Sequence, residues 1–191
     1  LTNAESIEEL QAEVLALERL VRRARAALSS GIEAKLIRLT DAILRDEGLA
    51  VRGEKLLIFT EAKDTLDFLV ERLRGQGFTV ALIDGSLSMD QRRKQQELFR
   101  GPAQVMVATE AGGESINLQF CNQMVNYDIP WNPNRLEQRM GRIHRIGQKN
   151  EVFIFNLVAA DTREGAVLAA LLTKMEEMRQ GLGSDRVFDL L

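Results

Sequence analysis

Lys55-Leu56-Leu57-Ile58-Phe59-Thr60 is a short apolar run bounded by polar residues, the pattern of a strand buried on both faces. Such strands sit inside parallel sheets, where helical crossovers cover either side. The chain downstream keeps that rhythm. Ala62–Arg74 reads as a helix with Leu66, Leu69, Val70 and Leu73 on one side, and Gly75 and Gly77 break it. Strands follow at Phe78–Ile83, Gln104–Thr109, Gln123–Tyr127 and Glu151–Val158. Helices are expected at Met89–Phe99, at Pro133–Ile143 with proline tolerated in the first turn, and at Thr162–Met178. Strands alternating with helices imply an α/β fold, a parallel sheet with helices on both faces.

Upstream, residues 4–28 lack glycine and proline and carry Leu10, Val14, Leu17, Val21 and Leu28 at helical spacing. Ser29, Ser30 and Gly31 punctuate that helix. Leu36, Ile37, Leu39, Ile43 and Leu44 mark a second one, which Gly48 stops. The expected organisation is a helical hairpin or brace over 1–50, an α/β lobe over 51–180 and a tail over 181–191.

Composition bounds the function classes. The 191 residues are 45% hydrophobic and 28% charged, ordinary for a soluble domain with one core. Cys121 is the single cysteine, so no disulfide partner exists within the chain. No signal peptide or membrane-spanning run is apparent, so a cytoplasmic setting without membrane attachment is expected. A net charge of -3 gives no support to wholesale nucleic-acid binding. Charge is uneven, however: Arg135, Arg139, Arg142, Arg145 and Lys149 face only Glu137 in one short segment. Such a cluster is either a site or a solvated helix face.

In parallel sheets the working groups gather on loops beyond the carboxyl ends of the strands. That rule selects Thr60–Asp64, Asp84–Ser88, Thr109–Asn117, Asp128–Pro133 and the segment before Glu151, and the polar and glycine-rich residues fall there. The most informative stretch is Gln138-Arg139-Met140-Gly141-Arg142-Ile143-His144-Arg145-Ile146-Gly147-Gln148. On one helical turn, Arg142 and Arg145 would aim two guanidinium groups at a single target. Paired guanidinium forks suit the shifting charge of a triphosphate. By spacing alone, surface salt bridges or a nucleic-acid backbone serve equally well. His144 lacks a surrounding cysteine or carboxylate constellation, so no metal is expected there. Trp131 is either a stacking platform or, more commonly, a packed edge residue.

Here the sequence resembles superfamily 2 helicases. Gln138 to Arg145 is similar to motif VI, and its extension to Gln148 to the isoleucine-glycine-glutamine ending of the Swi/Snf-type branch. Val107-Ala108-Thr109-Glu110-Ala111-Gly112-Gly113-Glu114-Ser115-Ile116-Asn117-Leu118 resembles motif V, with Ser115 where glycine is common. Leu57–Thr60 resembles motif IV, and Asp84-Gly85-Ser86 the motif after it. Asn126–Pro133 also fits the branch, and Val187-Phe188-Asp189-Leu190 resembles a tail of bacterial members.

The resemblance implies the second RecA-like lobe of a bacterial ATP-dependent translocase. Arg142 and Arg145 would be arginine fingers toward a γ-phosphate, with Gln138, Gly113, Glu114 and Asn117 at the nucleotide interface. Thr60, Lys63, Gly85, Ser86, Thr109 and Gly112 would lie along the nucleic-acid track. Adjacent Gly112 and Gly113 permit positive φ and close approach to a phosphate. The implied substrate is ATP with magnesium, held mainly by a preceding lobe of the same polypeptide, and the implied track is double-stranded DNA, in a nucleoid-associated setting.

A complete motor also needs a glycine-x-x-x-x-glycine-lysine-serine/threonine loop and an acidic magnesium motif, and neither occurs in this sequence. The chain alone is therefore expected to be inactive. A non-catalytic docking module that keeps the fold is the alternative. A dinucleotide-binding oxidoreductase fails for want of a glycine-x-glycine-x-x-glycine turn after the first strand.

Overall fold

The computed structural model describes residues 6–29, 34–46, 53–113, 116–145 and 147–158, with 162, 165–167, 169–170 and 173 beyond them. The chain divides into two compact units, Leu1–Ile37 and Arg38–Leu191. In the first, Ser6 starts helix α1 (Ile7–Ser29) by accepting from the Glu9 amide at 3.1 Å. Glu8 and Glu9 then complement the helix dipole in its first turn. A short helix α2 (Ala34–Ile37) ends this unit.

The second unit opens with a π-helical stretch, Arg38–Asp46. Its wide winding brings Leu39 and Leu44, five residues apart, to one side, and both are buried. The second helix of the expected hairpin is thus part α-helical and part π-helical, and Gly48 lies outside the described residues.

Five parallel strands follow: β1 (Leu56–Thr60), β2 (Val80–Ile83), β3 (Val105–Thr109), β4 (Gln123–Asn126) and β5 (Phe153–Asn156). They lie in the order β2-β3-β1-β4-β5, so the opening apolar run occupies the central position. Both of its neighbours are parallel, with Leu57 level with Met106 on one side and Met124 on the other. Leu57, Phe59, Ala81, Ile83, Met106, Ala108 and Met124 form one continuous core with Phe99, Leu118 and Ile143. Their neighbours Leu56, Ile58, Val105, Val107 and Val125 point to the opposite face and are equally buried.

Helix α3 (Lys63–Gly75) packs against β1, β2 and β3 and buries Leu66, Leu69, Val70 and Leu73. These leucines are separate from the first core, so α3 covers the second face. A strand between two such layers is buried at every position, as β1 and β3 are, and both are apolar up to their terminal threonines. Helix α4 (Met89–Arg100) is fixed by a capping box: the Ser88 hydroxyl accepts from the Gln91 amide while the Gln91 side chain accepts from the Ser88 amide. Two shorter helices, α5 (Glu110–Gly113) and α6 (Pro133–Met140), sit directly after β3 and β4. Of the helix expected over Thr162–Met178, residues 165–167, 169–170 and 173 are helical and the rest, Thr162 apart, lie outside the described residues. The tail over 181–191 lies outside them too. Among the described residues no helix is long and apolar enough to cross a membrane.

One side chain ties together the segments that lead into β4 and β5. Gly147, at φ +97°, turns the chain in a conformation that favours glycine. Gln148 then donates from Nε2 to the carbonyls of Gln119, Cys121 and Ile143 at 2.9, 3.4 and 3.1 Å, while its Oε1 accepts from the Asn150 amide. That clasp explains the glycine-glutamine pair at the end of the basic segment. Gln148→Ala is expected to cost about 1–3 kcal/mol by leaving partly buried carbonyls unpaired. Exposed Lys149→Ala should stay within about 0.5 kcal/mol. Equal midpoints for the two variants in urea unfolding would rule the clasp out.

Candidate functional site

At the carboxyl ends of the strands the sheet becomes polar while staying closed to solvent. Thr60, Asp84, Thr109, Asn126 and Arg139 are all buried there. Arg139, on α6, is 1% exposed, and its guanidinium lies 5.5 Å from the centre of the Phe59 ring. Nη1 donates to Asn126 Oδ1 at 3.2 Å and to the Asp128 carbonyl at 2.7 Å. Nη2 lies 3.5 Å from Asp128 Oδ1 and 4.0 Å from Glu110 Oε2. Burial pulls its pKa below the usual guanidinium value, opposed first by Asp128 and then by Glu110.

Asp128 in turn ties this centre to the loop after β1. It accepts from the Thr60 hydroxyl at 2.5 Å and from the Glu61 amide at 2.9 and 3.0 Å. Thr60, placed by sequence on the nucleic-acid track, therefore presents no free hydroxyl to solvent: it is 0% exposed and holds the Asp128 loop. Nor does it cap α3, whose N-cap residue is Ala62.

Motif-V-like residues are likewise interior. Thr109 is buried and accepts from the Gly112 amide at 3.3 Å. Gly112 and Gly113 are buried in α5, and neither has a left-handed backbone; the positive-φ glycines among the described residues are Gly53, Gly77 and Gly147. What these two positions require is space. A Cβ at Gly112 would lie 2.6 Å from the backbone of Ile83 and Asp84, and one at Gly113 would lie 2.8 Å from the Phe59 ring. The positive-φ phosphate turn expected of this pair is thus replaced by a helical turn pressed onto β1 and β2. Glu114 lies outside the described residues. Asn117 is exposed and accepts from the Gln119 amide at 3.2 Å.

Helix α6 begins where Asn132 accepts from the Asn134 amide, with Pro133 in its first turn, and stops at Met140 rather than at Ile143. After Gly141 the chain tightens: the amides of Arg142 and Ile143 donate three residues back, to Arg139 and Met140. The two arginines of the expected pair are therefore not on one helical turn. Arg142 is half-buried and lines a cavity of about 10 Å³ with Phe59, Glu110, Gly113, Gln138 and Arg139. Arg145 is exposed and donates from Nε to the Gly141 carbonyl at 2.7 Å, off that cavity. The structure thus brings Gln138, Gly113 and Arg142 together and leaves Arg145 beside them on the surface.

A second cluster surrounds the loop after β2. Asp84 Oδ1 accepts from the Ser86 amide and hydroxyl at 2.8 and 2.5 Å, and Lys63 Nζ sits 3.0 Å from Oδ2. The Ser86 hydroxyl first, and then the Lys63 ammonium, hold the Asp84 carboxyl down at about 2 against the opposing effect of burial. Lys63, Gly85 and Ser86 are exposed, and Arg92 donates to the Leu87 and Gly85 carbonyls from α4. Trp131 is 61% exposed rather than packed at the domain edge, and His144 is exposed.

The sequence places Arg139, Asp128, Asn126 and Glu110 inside motif-like segments but gives none of them a role of its own. Arg139 stands there as one member of the basic cluster and of the motif-VI-like stretch. The two carboxylates carried a faint signal in their places immediately after strands.

Comparison with known proteins bears on this arrangement. A family model described as the helicase conserved C-terminal domain matches residues 34–147. The chain is 45% identical over 130 residues to the uncharacterized ATP-dependent helicase YqhH of Bacillus subtilis, covering 68% of this chain and 23% of that protein. It is 37% identical over 124 residues to the RNA polymerase-associated protein RapA of Vibrio cholerae, covering 63% of this chain and 13% of that one. The C-terminal part of the Fun30 ATPase domain superposes with a TM-score of 0.62 at 26% identity, over 81% of this chain and 53% of that one. The chain therefore spans less than a quarter of these curated relatives' length.

Two outcomes follow from the geometry. Arg139→Leu should cost about 3 kcal/mol, the lower end for breaking a buried pair because Asp128 and Glu110 keep some solvent contact. The exposed Arg135→Leu should cost about 0–1 kcal/mol. Equal losses in denaturant unfolding would remove Arg139 from the centre of the site. Asp84, with its folded pKa depressed, contributes stability that is complete above about pH 4 and lost as pH falls from 3.8 toward about 2. Unfolding of Asp84→Asn should lack that acid limb; an unchanged limb would show the cluster to be inert.

Proposed function

We propose that this chain, which belongs to the helicase conserved C-terminal domain family of Swi/Snf-like ATP-dependent helicases, acts as the second motor lobe of an ATP-dependent DNA translocase. In that role Arg142 and Arg145 are arginine fingers that reach the γ-phosphate of ATP held by a preceding RecA-like lobe of the same polypeptide. Gln138 positions the nucleotide beside them. The observation that carries the reading is the meeting of Gln138, Arg142 and Gly113 at one cavity on the carboxyl edge of the sheet, where parallel α/β folds place their ligands.

Permanently charged forks at that edge suit a phosphoryl group whose oxygens gain charge in the transition state. Arg145 rests on a single carbonyl, Gly141, and can exchange that bond for a phosphate oxygen. Among the described residues no group of three or more His, Cys, Asp or Glu side chains could hold a metal ion. Magnesium is assigned to the first lobe because the lysine-bearing phosphate loop and the acidic motif that would hold it do not occur in this sequence, and no step here runs through it. The DNA track is assigned to the exposed set Lys63, Gly85 and Ser86, where an ammonium, a backbone amide and a hydroxyl lie on one loop cluster. Contacts of this kind grip phosphates without reading bases, as movement along duplex DNA requires. A setting at the bacterial nucleoid is part of the same proposal.

The test is steady-state ATP hydrolysis by the full-length parent protein with and without duplex DNA. Arg142→Ala should lower DNA-stimulated turnover by about 10³-fold or more while DNA affinity stays within about twofold. Parental turnover in Arg142→Ala would overturn the finger assignment and favour a docking module that keeps the fold.

A further inference from the structure

Glu110 is the acidic group of this site to which no role has been given. It is the first residue of α5, immediately after β3. Its side chain is 21% exposed, with Oε2 lying 3.4 Å from Arg135 Nη1 and 4.0 Å from Arg139 Nη2. Oε1 is buried without a hydrogen-bond partner, as are Arg139 Nε and Nη2. These atoms belong to residues lining the same small cavity as Gln138 and Arg142.

Glu110 is mounted on a closely packed turn. Gly112 sits against the backbone of Ile83 and Asp84, and Gly113 against the Phe59 ring, with no room for even a methyl group at either position. The start of α5 therefore cannot shift without disturbing β1 and β2. On the other side, Arg139 transmits its position to Arg142 over a very short path, since the Arg142 amide donates to the Arg139 carbonyl at 3.0 Å. A carboxylate on a fixed post thus faces a buried guanidinium that sets where the next turn of chain begins.

We propose that Glu110 is a positioning residue: its carboxylate, set between Arg135 and Arg139, fixes the turn that presents Arg142 to the nucleotide. This inference rests on the reading of Arg142 as a finger. A purely structural anchor is the competing account. It predicts loss of stability with unaltered turnover per folded molecule. Positioning instead predicts a loss confined to the chemical step, because misplacing a reacting group by about 1 Å costs up to about a hundredfold in rate.

The experiment uses the full-length parent protein and compares Glu110→Gln, Glu110→Asp, Arg139→Lys and the Glu110→Gln/Arg139→Lys double variant, with Arg142→Ala alongside. DNA-stimulated kcat should fall about tenfold to a hundredfold in Glu110→Gln, with KM for ATP within about twofold. Glu110→Asp, which keeps the charge, should recover part of the loss. The double variant should be no more than about twofold slower than the slower single variant, because both act through one contact. Parental kcat in Glu110→Gln, a rise in KM alone, or multiplicative losses in the double variant would each overturn the proposal. Thermal melting is read in parallel. If Glu110→Gln fails to fold, Glu110→Asp decides by the same split of kcat and KM. An inactive Arg142→Ala beside a fully active Glu110→Gln sinks this inference alone; a fully active Arg142→Ala sinks the finger reading and this inference with it.

Discussion

Burying Arg139 costs the lobe the hydration of a full positive charge, and that cost dictates what surrounds it. A guanidinium removed from water requires acceptors and opposite charge, or its removal is worth several kcal/mol of instability. Each requirement is met from a different part of the chain. Asn126 comes from the end of β4, the Asp128 carbonyl and carboxylate from the loop behind it, Glu110 from the end of β3, and the Phe59 ring from β1. Three segments distant in sequence are thereby fixed to one side chain. Asp128 extends the arrangement to Thr60 and Glu61, so the first loop is drawn in as well.

The chain just after α6 keeps contact with the same interior. Arg139 must reach the interior, and Ile143 must return to the apolar core four residues later. Ending at Met140, with tight turns through Gly141, delivers Ile143 inward and leaves Arg142 and Gln138 facing the cavity. Gln148 then pins the return path by holding three carbonyls with one amide. Arg142 is thus held between Arg139 on one side and the Gln148 clasp on the other.

The fold was largely legible in the sequence because burial on both faces of a sheet leaves an unmistakable apolar run. Leu56–Thr60 and Val105–Thr109 are apolar up to their terminal threonines, and each lies in a strand within one residue of its expected start. The site was legible only in part. Spacing treats Arg139, Arg142 and Arg145 alike, yet one is sealed in the interior, one half-buried and one exposed. What separates them is contact with Asn126, Asp128 and Glu110, and no local pattern encodes partners that lie on other strands. Gly112 and Gly113 pose the same difficulty in another form. A glycine kept for backbone freedom and one kept for lack of a side chain are identical letters, and here the second reason holds.

The division between buried and exposed polar groups has a consequence for how such a lobe can work. Thr60, Thr109, Asp84 and Arg139 are buried and bonded to other parts of the lobe, so they serve to fix geometry rather than to grip a ligand that comes and goes. Arg145, Lys63 and Ser86 lie at the surface, where bonds to outside groups replace bonds to water at little net cost. Arg142, half-buried between the two sets, is the place where a rigid interior meets an exchangeable partner. In the proposed finger role, what Arg142 contributes depends on how firmly the interior holds it, and so the buried groups behind it matter as much as the charge it carries.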